Sequence, residues 1–121
     1  MNTGESMAKN SEKTLAEQKK TMAEALEKIE KCRESHSKTL EIGHNGYLNI
    51  LPQEIRQLTW LTSLSVICTG IKVLPDWIGE LENLKSLNLC GNQKIKKLPD
   101  SIANLKRLKM ITIKRTGKNE V

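Results

Sequence analysis

Aromatic side chains are nearly missing from this chain: there is no phenylalanine, one tyrosine and two tryptophans. A core must therefore be assembled mainly from leucine and isoleucine, without the large buried areas that rings supply. The same scarcity removes the stacking platforms on which single-stranded nucleic acid is commonly held. No apolar run approaches a bilayer span, and the opening MNTGESMAKNSEKT lacks the hydrophobic stretch of a signal peptide, so neither a transmembrane segment nor classical secretion is expected. Cysteine is sparse too. Cys32, Cys68 and Cys90 cannot all pair within one chain, and a reducing, cytoplasmic compartment is the expectation.

Signatures of chemistry are equally thin. The sequence contains no glycine-rich phosphate loop, nucleophile elbow or paired-carboxylate pattern. Its cysteines and histidines do not fall at metal-ligand spacing. His36 and His44 lie near Cys32, but residues at such a junction are far more often structural or exposed than catalytic. No cofactor, metal or enzymatic activity is expected.

What is present is a period. Leu51-Pro52, Leu74-Pro75 and Leu98-Pro99 are spaced by 23 and 24 residues, and each opens the same apolar ladder. The first runs Ile55, Leu58, Leu61, Leu64, Val66; the second Ile78, Leu81, Leu84, Leu87, Leu89; the third Ile102, Leu105, Leu108, Ile111, Ile113. A partial copy, Leu40, Ile42 and Asn45, precedes them. Alternation in Leu64-Ser65-Val66, Leu87-Asn88-Leu89 and Ile111-Thr112-Ile113 predicts short half-buried strands. The three-residue spacing after each proline predicts a turn or two of helix or 3₁₀ on the opposite side. Repeats of this length stack into a solenoid, because no single copy buries enough apolar surface to offset its own ordering. Gly43, Gly46, Gly70 and Gly91 fall after strands, where positive φ is expected.

The pattern Leu-Pro-x-x-Ile-x-x-Leu-x-x-Leu-x-x-Leu-x-Leu-x-x-Asn, carried by residues 40–116, resembles the leucine-rich-repeat superfamily in its intracellular class of about 23 residues. Plant Ras-group proteins, Ras-binding scaffolds and bacterial effectors belong to that class. The resemblance implies an α/β fold: a short right-handed solenoid, with parallel strands on a concave face and short helices or 3₁₀ turns on a convex face. It also implies an asparagine ladder bonding to loop backbone. Asn45 and Asn92 match it, while Thr69 and Thr116 replace asparagine, so the ladder should be weaker but unbroken. The domain plan is a disordered polar tail at 1–10, an amphipathic helix at 11–36, about 3.5 repeats at 37–116 and a tail at 117–121.

In the helix, Leu15, Met22 and Ile29 recur every seven residues beside Ala25, Leu26 and Cys32. Three roles are open: a cap on the first repeat, a coiled-coil partner, or a segment for another molecule. At the other end the last strand has no visible cap, so self-association through that edge or through the helix is a further expectation.

Charge is uneven. Residues 1–36 carry seven basic and seven acidic side chains, so the net charge of +6 resides in the repeats. Lys94, Lys96, Lys97, Lys106, Arg107, Lys109, Lys114, Arg115 and Lys118 crowd the last stretch against Asp100. They are expected to form a basic patch, protective or suited to an acidic protein, with nucleic acid or anionic lipid less favoured.

The resemblance makes the concave face the default binding surface. Its outward positions are Thr39, Glu41 and Gly43; Ser63, Ser65 and Ile67; Ser86, Asn88 and Cys90; and Met110, Thr112 and Lys114. The expected function is capture of a protein partner without turnover. The effector branch looks nearest, with export into a host cell by a non-classical route. A rival is the substrate-recognising part of a larger ubiquitin-ligase-type effector.

Overall fold

A computed structural model describes the backbone of residues 3–113 and the side chains of residues 12–113. Helix α1 (Thr3–Ser35) leads into strands β1 (Thr39–Asn45), β2 (Ser63–Thr69), β3 (Ser86–Asn88) and β4 (Met110–Thr112). The strands form one parallel sheet in chain order. Register follows the repeat: Leu40 pairs with Leu64, Leu64 with Leu87, and Leu87 with Ile111. Between successive strands the chain crosses behind the sheet through 3₁₀ turns at Gln53–Gln57, Asp76–Glu80 and Asp100–Asn104.

Each 3₁₀ turn starts at the Leu-Pro step for a local reason. Proline fixes φ, and its carbonyl accepts the N–H of the isoleucine three residues on: Ile55 to Pro52 at 3.2 Å, Ile78 to Pro75 at 3.1 Å, Ile102 to Pro99 at 3.1 Å. The turn then points Ile55 and Leu58, or Ile78 and Leu81, into the core, where they meet inward strand residues such as Leu64 and Leu87. All six are essentially sealed from solvent. In the third repeat Ile102, Leu108 and Ile111 are only partly buried, because among the described residues repeats pack on them from one side. Hydrogen bonds link neighbouring turns. Arg56 holds Glu80 through two contacts of 3.1 Å, Asn83 Nδ2 donates to the Thr59 carbonyl, and Ser101 Oγ to that of Asp76.

Among the described residues the expected ladder is reduced to one inter-repeat rung, between Asn92 and the Thr69 turn. Asn92 Oδ1 accepts from the Thr69 N–H (3.0 Å) and hydroxyl (2.6 Å), while its Nδ2 donates to the carbonyls of Val66 and Leu89. Thr69 Oγ1 in turn accepts the Ile71 N–H. Asn45 makes a local bond, accepting the Tyr47 N–H. Thr116 lies outside the described residues. The glycine expectation holds in part. Gly43 and Gly91 have positive φ, but Gly46 and Gly70 do not. Gly70 is required by close approach instead, since a Cβ there would run into the Gly46 carbonyl.

Helix α1 begins at Thr3, not near Ser11, so residues 3–10 continue it where a disordered polar tail was expected. No proline interrupts Glu5 to Asn10, and Met7, Ala8 and Lys9 favour helix. The buried stripe is Thr21, Ala25, Ile29 and Cys32, with Met22 and Leu26 partly buried against the core. It lies against β1 and the first 3₁₀ turn, covering the first strand. Leu15 is 51% exposed, so the seven-residue seam stops short of it. Trp60 locks the junction: its Nε1 donates to the Ser37 carbonyl at 2.9 Å, and its ring stacks on His36 with centroids 4.2 Å apart. No described helix is long and apolar enough to cross a membrane.

Candidate interaction surfaces

The parallel register arranges the outward strand residues in rows. Thr39, Ser63, Ser86 and Met110 form one; Glu41, Ser65, Asn88 and Thr112 the next. Gly43 and Ile67 begin a third row, to which Cys90 belongs by repeat position. The structure thus brings the expected sheet-face residues onto one surface, except Lys114, which lies outside the described residues. Most are small and polar, and Glu41 is the charged residue among those described. Met110 is 60% exposed and Ile67 half-buried, leaving two apolar contacts on a hydroxyl-rich face. Asn88 already accepts the Cys90 N–H through its side chain at 3.0 Å, so it holds the turn as well as facing outward.

One edge of this face carries unusual backbone. His44 (φ 62°), Cys68 (φ 54°) and Gly91 (φ 79°) all occupy the left-handed region. They are equivalent positions in the repeat, immediately before Asn45, Thr69 and Asn92, where each strand breaks into its loop. The repeat demands this conformation whatever the residue, and only Gly91 adopts it without steric cost. Cys68 N–H donates to the Cys90 carbonyl at 2.8 Å. Its Sγ lies where a Cβ on residue 91 would come within 2.5 Å.

The histidines and Cys32 do not converge. His44 Nε2 sits 3.1 Å from Glu41 Oε2, and His36 lies on Trp60. The Cys32 thiol is buried, donates to the Ser37 and Thr39 carbonyls, and has its pKa raised by burial, the opposite of an activated nucleophile. Cys68 is exposed and Cys90 half-buried, and all three cysteines are free thiols. Among the described residues no cluster could hold a metal ion.

The third 3₁₀ turn divides the basic residues into two groups along the chain. Lys94, Lys96 and Lys97 follow β3, where they line a hollow of about 920 Å³ together with Lys72, Val73, Leu74, Leu98, Pro99 and two aspartates, Asp76 and Asp100. Lys106, Arg107 and Lys109 come after the third 3₁₀ turn, on the return path into β4, and do not line that hollow. Arg115 and Lys118 lie outside the described residues. Sequence reasoning missed Lys72 and Val73. Their signal lay in repeat position: Ile50, Val73 and Lys97 each stand just before a Leu-Pro step and point away from the core.

A one-sided parallel sheet, backed by 3₁₀ turns and tied by the buried Asn92 amide, fits the stacked-repeat scaffolds. A family model described as leucine rich repeat matches residues 59–117. Leucine-rich repeat protein SHOC-2 of Danio rerio is 34% identical over 69 residues, which is 57% of this chain and 12% of that protein. Residues 59–117 are leucine-rich repeats, a kind of module that serves protein–protein interaction.

Proposed function

We propose that this chain captures a protein partner on the outer face of its sheet, without chemical turnover. The observation that carries this reading is the face itself. Rows of serine, threonine and asparagine present hydroxyl and amide groups on a frame held rigid by Leu64, Leu87 and the Asn92 bonds. Ile67 and Met110 supply the apolar contacts. A preformed surface loses little entropy on binding, which favours affinity from a small area. Free thiols, Cys68 exposed among them, suit a reducing compartment.

The test is affinity capture from cell lysate with Ser65→Arg and Thr112→Arg variants. Both positions face outward, and among the described residues neither side chain makes a hydrogen bond, whereas Asn88 holds the Cys90 N–H. Loss of one discrete captured protein in both variants supports the reading. Undiminished capture moves the site off the sheet.

A further inference from the structure

We propose a second docking site, on the loop side of the repeats, that takes an acidic amphipathic peptide segment. Two hollows meet there. The larger holds Lys72, Lys94, Lys96 and Lys97 around Val73 and Leu98. The smaller, of about 500 Å³, is lined by Ile50, Trp77 and other residues, and it shares Lys72 and Val73 with the first. The combined groove therefore crosses from the first repeat to the third. Its apolar residues are left in water: Val73 is 75% and Ile50 62% exposed. Among the described residues few large apolar side chains are exposed, and two on one groove mark a contact surface.

Charge complementarity names the occupant. Four lysines face two aspartates in the larger hollow, and none of these six has an ion-pair partner among the described residues. Lys72 is the one charged residue in the smaller hollow. The groove is thus basic toward the third repeat and apolar toward the first. A segment with carboxylates at one end and leucine-like side chains at the other satisfies both halves. Asp76 and Asp100 oppose a uniformly anionic surface such as a membrane or a phosphate backbone, and the larger hollow has no aromatic side chain for base stacking. This site stands independently of the sheet face.

The experiment uses fluorescence anisotropy with a labelled peptide carrying glutamates at one end and leucines at the other. The triple change Lys94→Glu, Lys96→Glu, Lys97→Glu is expected to weaken binding about tenfold or more. Lys106→Glu, Arg107→Glu, Lys109→Glu alters net charge equally and is expected to change affinity less than about twofold. Val73→Ser, at an exposed position, is expected to weaken binding severalfold without altering the melting curve. Equal losses from the two triple variants would reduce the effect to net charge and overturn the site. So would absence of peptide binding, indifference to Val73→Ser, or tighter binding to phosphatidylserine vesicles or oligo-thymidine than to the peptide.

Discussion

At the scale of single residues, the position before the ladder amide shows how a repeat constrains its members. His44 and Cys68 are held in the left-handed region that Gly91 occupies freely. Cys68→Gly removes an exposed side chain and relieves that strain, so it is expected to stabilise the fold by about 1 kcal/mol, read as a higher urea midpoint. Gly91→Ala should destabilise, because the new Cβ meets Cys68 Sγ. Asn92 is the costlier site. Replacing it with alanine strands the Thr69 N–H and the Val66 and Leu89 carbonyls in a buried loop, with an expected loss of about 3 kcal/mol by urea unfolding. Thiol environments rank reactivity: maleimide should label exposed Cys68 first and Cys32, buried and with its pKa raised, last. The ladder residues were legible in sequence because each repeat supplies a copy for comparison. The left-handed conformation at Cys68 was not, because nothing in a cysteine marks it.

Elements differ in how far local pattern determines them. The 3₁₀ turns were readable from the Leu-Pro step, since proline and the three-residue spacing act within the turn. The strands were readable from alternation, and β1, which lacks a preceding repeat, was found by its spacing to Pro52. Helix α1 was read less well. Its existence follows from periodicity, but its start depends on weak propensities at residues 3–10, and its packing face is set by where β1 presents apolar surface. The seam accordingly uses Thr21 and Ala25 and leaves Leu15 in water. Ile29→Ala is expected to cost about 2–4 kcal/mol and Leu15→Ala nearly nothing; similar losses at both positions would refute the cap geometry described here.

Over the whole molecule, stability and recognition share one origin. Each repeat buries its leucines only against a neighbour, so the array is the folding unit and its sheet face is fixed as a consequence. The sheet-face residues were legible because strand alternation assigns them directly. The basic residues were read as one patch from nearness in sequence; the third 3₁₀ turn divides them along the chain, and Lys94, Lys96 and Lys97 line the loop-side hollow while Lys106, Arg107 and Lys109 do not. The loop-side groove was invisible for a related reason, since Val73 and Leu98 belong to different repeats and meet only on stacking. The most direct test of the central claim is site-specific photo-crosslinking in lysate, with a benzophenone amino acid placed at Ser65 on the sheet face or at Gln57 on the opposite side. The account predicts a discrete protein adduct from position 65 and none from position 57. Adducts from position 57 alone, or equal adducts from both, would contradict it.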